Sequence, residues 1–293
     1  MNWTTKPLYV IGIIGLGLVA LGQGIAFDNG GADAKAVDAR VRAGKALWEE
    51  KCRTVAGEKI YRKVENVEGL LLMKVRPQAG EREWSDQMWP GAAFAREAWG
   101  NDFITSFLGY EEGGSTLDGT PTPVTPTYRG SINTNRNPGG LPGYRWVEVI
   151  DEKDGKRYRY TGANKVVGRM DVGAPNVKFN LERNPKFDLN IYGYVLDKAS
   201  AHGSSARYGV TYEDHVIPEE RTLGIASSTI KVLDLKTNEL MGKMTRYAWS
   251  PGTPSRANPS PWLTAYRCPT HARGTDAATR KFVDQVLIPA KEK

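Results

Sequence analysis

Histidine and cysteine are nearly missing: the chain has three and two of them in 293 residues. So few side chains cannot build a four-ligand site at a recognised spacing, which leaves zinc and haem chemistry without a foundation, and no cofactor is expected. The motifs H-E-x-x-H, G-x-S-x-G, C-x-x-C and C-x-x-C-H are all absent, and no G-x-G-x-x-G follows a strand and opens a helix. One S-x-x-K occurs, Ser228-Thr229-Ile230-Lys231, but it falls in a β-prone run and lacks the S-D-N and K-T-G companions that give such a serine its role. No repeat of 20–50 residues is visible. Neither a lipobox nor a C-terminal CAAX box is present, since the first cysteine, Cys52, lies far beyond any apolar run.

Charge is missing from one stretch. Leu8 to Phe27 reads LYVIGIIGLGLVALGQGIAF, with Gln23 its one strongly polar side chain. At about 1.5 Å per residue it would span roughly 30 Å, a bilayer's hydrocarbon core. The reading is a transmembrane helix over 8–27 with residues 1–7 as a cytoplasmic tail. Lys6 precedes the run and mixed charges follow it, which places everything after it outside. The alternative is a cleaved signal ending near Ala20-Leu21-Gly22 or Ala32-Asp33-Ala34. The predicted location is thus a bacterial inner membrane with the C-terminal domain in the periplasm, or secreted or periplasmic if residues 1–34 are removed. Ala20/Gly24 and Gly22/Ala26 are small-xxx-small pairs that would let a second helix approach; glycine is also simply common in membrane segments.

In an exported chain, two cysteines predict one disulfide, Cys52–Cys268, with two buried free thiols as the alternative. Cys52 ends a predicted helical stem, residues 28–52, whose stripe is Val37, Val41, Leu47 and Trp48, with Gly44 in the intervening place at a cost of about 1 kcal/mol against alanine. Cys268 precedes a second predicted helix, with Asp276 as its cap, Phe282, Val283, Val286 and Leu287 as its stripe and Pro289 as its stop. The bond would close a long loop, worth roughly 4–5 kcal/mol in the chain-entropy model.

The rest, residues 53–293, reads as an α+β extracytoplasmic domain on a twisted antiparallel β-sheet with flanking helices and long loops. Lys59–Val64 and Leu70–Val75 suggest a hairpin around Asn66-Val67-Glu68-Gly69. Tyr144–Ile150 and Arg157–Tyr160 form a second hairpin with an Asp154-Gly155 turn signal. Phe187–Leu196, Arg207–Tyr212, Thr229–Leu235 and Leu240–Trp249 read as further strands, the last two joined by Lys236–Glu239. Short turns without interleaved long helices predict antiparallel pairing. Residues 77–143 differ: a predicted helix over Ala92–Phe107 is followed by dense Gly, Pro, Thr and Asn. Trp84, Trp89 and Trp99 cluster there, as packing or as a candidate partner-binding patch.

The net charge is +7. Residues 144–293 hold 24 basic and 17 acidic side chains, so the excess belongs to that half, while residues 91–143 hold three basic and five acidic. Nucleic-acid binding lacks any supporting motif; anionic lipid, a cell-wall polymer or an acidic protein would fit the charge as well. For acid–base chemistry the candidates are His202, Asp214 and His215, although adjacent strand residues face opposite ways. The segments KCRTVAGEKIYRKVENVEGLLLMKVRP and RYGVTYEDHVIPEERTLGIASSTIKVLDLKTNEL resemble parts of exported bacterial envelope proteins of uncharacterised function, over roughly residues 52–270. That resemblance implies an envelope setting and carries no catalytic residue. The expectation is a membrane-anchored, non-enzymatic accessory or structural subunit of a larger envelope assembly, touching the inner membrane through residues 8–27 and other envelope proteins elsewhere. The alternatives are an exported hydrolase with a His/Asp/Ser site assembled in three dimensions, and a periplasmic ligand-binding module.

Overall fold

A computed structural model describes residues 29–114, 116, 118–120, 122–125, 130–134, 140–269 and 277–291. The expected membrane helix over 8–27, with Ala20, Gly22, Gly24 and Ala26, lies outside these residues. Among the described residues no helix is long and apolar enough to cross a membrane. The longest, α1 (Asn29–Thr54), has the length but carries charge along its whole course, from Asp33 to Arg53. Single-pass anchoring in an inner membrane, and a fold class built on a transmembrane helix, are therefore corrected. By its contacts the chain divides between Asp38 and Ala39, within α1, and every sheet belongs to the unit that starts at Ala39.

After α1 come the short strands β1 (Gly57–Ile60), β2 (Val64–Val67) and β3 (Gly69–Leu72). The 77–143 stretch then holds α2 (Glu81–Ser85), a 3₁₀ turn (Pro90–Phe94), α3 (Gly100–Leu108), β4 (Tyr110–Glu112) and β5 (Ser131–Asn133). β6 (Trp146–Ile150), β7 (Arg157–Arg169), α4 (Pro175–Arg183), β8 (Asn190–Ser200) and β9 (Tyr208–His215) follow. The chain closes with α5 (Pro218–Thr222), β10 (Ile225–Asp234), β11 (Glu239–Trp249), β12 (Tyr266–Cys268), α6 (Ala278–Val286) and β13 (Leu287–Pro289).

Among the described residues nine strands form the main sheet, in the order β1-β11-β10-β9-β3-β6-β7-β8 with β12 also on β11. It is a mixed sheet, not the antiparallel one expected, because β3 runs parallel to both β6 and β9. Parallel neighbours need a long crossover, and residues 77–143 supply it between β3 and β6. Gly69–Leu72 is buried at every position, as strands covered on both faces are. The hairpin expected around residues 66–69 does not form. β1 pairs with β11, β2 pairs in parallel with β13, and one residue later β3 enters the main sheet. Gly69 permits that step, since a Cβ there would lie 2.2 Å from the Trp146 ring.

The β6–β7 and β10–β11 hairpins form as expected, with Gly155 and Asn238 at positive φ in their turns. The helix expected over Ala92–Phe107 is broken at Gly100, φ 54°. The core collects Leu70, Leu72, Phe94, Phe103, Phe107, Val147, Ile230, Met244 and Phe282. Helix α6 was expected to bury one stripe, yet Arg280 and Lys281 are fully buried too. Arg280 donates to the Ser106 and Phe107 carbonyls at 2.8 and 2.6 Å and pairs with Asp284.

One element leaves the sheet. β7 pairs with β6 only over Arg157–Tyr160, but with β8 from Tyr158 to Arg169, interrupted by one bulge. From Thr161 onward the pair runs on as a two-stranded ribbon, nine residues or roughly 30 Å at about 3.3 Å each. α4 sits in the connection at its far end. Tyr194 and Leu196 lean back on the core. Beyond them the side chains of Val166, Val167, Val172, Phe179, Ile191 and Tyr192 are exposed.

Candidate functional site

Three of the residues singled out from the sequence meet in one cleft. Arg76, four residues past the end of β3, is 5% exposed. It donates to both carboxylate oxygens of Asp214, at 2.8 and 3.0 Å. Its guanidinium lies 3.8 Å from the Tyr212 ring centre and 4.5 Å from that of Phe94. Trp89 and Trp99 line the same space, a cavity of about 150 Å³. Trp84 packs on Trp99 at 6.1 Å. All three tryptophans are half-buried, and Trp84 and Trp89 rest on the core.

Glu97 lines the inner wall of the same cleft. Burial pushes its carboxyl up to about 7, against the hydrogen bonds from Thr279 and the charges of Arg76 and Arg246, which act to lower it. Thr279 donates to Glu97 Oε2 through both its backbone N–H, at 3.0 Å, and its hydroxyl, at 2.8 Å. Burial also lowers Arg246 to about 10, with Glu97's charge opposing the shift; it stays cationic at neutral pH. A carboxyl titrating near neutrality can serve acid–base chemistry, but structural ion-pair networks shift pKa values in the same way. Here both hydrogen bonds to Glu97 hold α6 in place, and Arg76 donates a long hydrogen bond to the Ser228 hydroxyl, at 3.4 Å.

The three acid–base candidates do not converge. Asp214 is committed to Arg76. His215, its neighbour on β9, turns the other way and meets the Thr229 hydroxyl at 3.0 Å, which in turn meets that of Thr245 at 3.1 Å. His202 is exposed in the loop between β8 and β9. Among the described residues no cluster of three or more His, Cys, Asp or Glu side chains could hold a metal ion. Sequence reading missed Arg76, Glu97 and Arg246, whose burial has no local signature: each lies in a segment that mixes charged and apolar residues, with another charge one to three positions away.

Cys52 and Cys268 are joined in a disulfide, with their Cα atoms 5.7 Å apart across 216 residues of chain. It links α1 to β12, beside the second apolar cluster of Ile225, Tyr247 and Trp249. There Trp48 stacks on Trp249 at 6.0 Å and Trp249 on Tyr266 at 5.4 Å. Comparison with known proteins finds no family model, no curated protein and no solved structure that matches this chain.

Proposed function

We propose that this chain is a non-enzymatic accessory or structural subunit of a larger protein assembly, acting by contact. The observation that carries the reading is the β7–β8 ribbon. A two-stranded ribbon in water is marginally stable by itself, and large apolar side chains left exposed together on one element, here on both faces of the ribbon, point to an interaction site. Val167, Phe179 and Tyr192 are 56%, 52% and 57% exposed, a cost that is offset when a partner covers them. The dispersal of His202, Asp214 and His215 supports the same reading and gives no support to a hydrolase. The cleft beside Arg76, at about 150 Å³, is below the ~300–1,000 Å³ of small-molecule sites, so it accommodates a group no larger than a side chain. The disulfide fits work in oxidising surroundings.

The test is native purification of the full chain under mild conditions, followed by mass measurement. The wild type should carry partner chains or further copies. The Val167→Asp/Phe179→Asp/Ile191→Asp variant should lose them while its circular dichroism and thermal midpoint stay unchanged. Wild-type chain that is monomeric and partnerless throughout would overturn the reading.

A further inference from the structure

The outer edge of the ribbon has a composition that points to its occupant. β8 ends the sheet order, with β7 its one neighbour among the described residues. An edge strand offers a row of unpaired backbone groups, and proteins that must stay apart protect such edges with charge, proline or bulges. The distal part of β8, Asn190–Leu196, reads NIYGYVL: seven residues with no charge and no proline. The bulge in this ribbon, between Val166 and Gly168, is on β7 and not on the free edge. A segment of this kind is built for β-pairing. The charge of the far end decides between occupants. Residues 166–192 hold four basic and three acidic side chains, a near-balance that recommends neither an anionic lipid surface nor a strongly acidic protein.

Resting on the reading that the ribbon is the binding element, we propose that β8 pairs with β8 of a second copy of this chain, antiparallel and about a two-fold axis at Val195. The register is set by the side chains. It overlaps all eleven residues of β8 and sets Asn190 against the partner's Ser200 and Ile191 against the partner's Ala199. Tyr194 then meets the partner's Leu196, an aromatic–aliphatic cross-strand pair of the stabilising kind. Lys198 meets the partner's Tyr192. Lys198 already lies 3.9 Å over the Tyr158 ring, so the exposed Tyr192 would extend an existing cation–aromatic stack. Asp197, which pairs with Lys165 at 2.8 Å, meets the partner's Gly193 and no like charge. The contact is isologous and closes at two copies, joining two ribbons into a four-stranded sheet through backbone hydrogen bonds.

Cysteine crosslinking in the full chain tests both the pairing and its register. Residues opposite one another on antiparallel strands are within disulfide reach, so Val195→Cys should give a covalent dimer on mild oxidation at about tenfold or more the yield of Lys186→Cys, whose site lies in the connection at the far end. A mixture of Ile191→Cys and Ala199→Cys chains should crosslink to each other and not to themselves. Sedimentation should find twice the chain mass of 32.3 kDa. Yields equal to the Lys186→Cys control, with unchanged thermal unfolding, would overturn the pairing, as would a monomer at every concentration. Binding of a different protein or of anionic vesicles by that monomer, abolished by the triple aspartate variant, would also overturn it while leaving the assembly reading intact. If the aspartates disturb no association of any kind, the assembly reading fails as well.

Discussion

Glu97 couples the stability of this fold to pH. Its carboxyl is raised to about 7 by burial, so the folded chain holds a proton that the unfolded chain releases near pH 4.5. The stability this gives is complete below about pH 4.5 and is lost as pH rises through about 7. Asp234 slopes the other way. Hydrogen bonds from Arg207 and Arg62 pull it down to about 2, and its contribution is present above about pH 4 and lost as pH falls toward 2. Glu97→Gln keeps the acceptor for Thr279 and removes the titration. In urea denaturation the variant should match the wild type at pH 4 and exceed it at pH 8 by up to about 3 kcal/mol, the burial shift expressed as free energy. Equal pH dependence in the two proteins would show that Glu97 does not carry it. The sequence announced the chemistry of these residues but not their burial. Asp214 stood out for its neighbour His215, yet its partner is Arg76, 138 positions away.

The two hairpins whose signals lie within a few residues formed where the sequence placed them; the single helix over Ala92–Phe107 and the elements defined by long-range pairing did not. The hairpins at Asp154-Gly155 and Lys236–Glu239 were legible because turn chemistry and strand alternation lie within a few residues. The fate of Gly69–Leu72 was not. A four-residue apolar run fits a hairpin or a buried parallel strand equally, and the choice rests on the crossover through residues 77–143, which looked like an irregular excursion. Gly44 shows how packing reverses a local rule. In an exposed helix, alanine at that position would be favoured by about 1 kcal/mol. In α1 a Cβ there would lie 2.4 Å from the Leu223 carbonyl oxygen and 2.8 Å from Trp249 Nε1. Gly44→Ala should therefore destabilise by about 1–3 kcal/mol, the usual penalty for overpacking, as read from the shift of the urea midpoint. A stabilised variant would mean that α1 does not pack this closely.

Across the whole molecule, the disulfide and the ribbon act at opposite margins. The Cys52–Cys268 bond closes a loop of 216 residues and should contribute about 2–5 kcal/mol. Cys52→Ser/Cys268→Ser should lower the unfolding free energy by that amount, and an unchanged midpoint would show the clasp to be incidental. The cysteine pairing was legible because two cysteines leave one possible bond within the chain. The ribbon was not, because strand alternation says which residues share a face and not whether anything covers that face. Its exposure is the foundation of the proposed function, and amide hydrogen exchange tests it most directly. In the natively purified assembly, the amides of residues 161–169 and 190–196 should exchange slowly, and the Val167→Asp/Phe179→Asp/Ile191→Asp variant should exchange them fast while Leu70–Leu72 stay protected in both. Fast exchange of the ribbon in the native preparation, or protection that the aspartates leave untouched, would contradict the account.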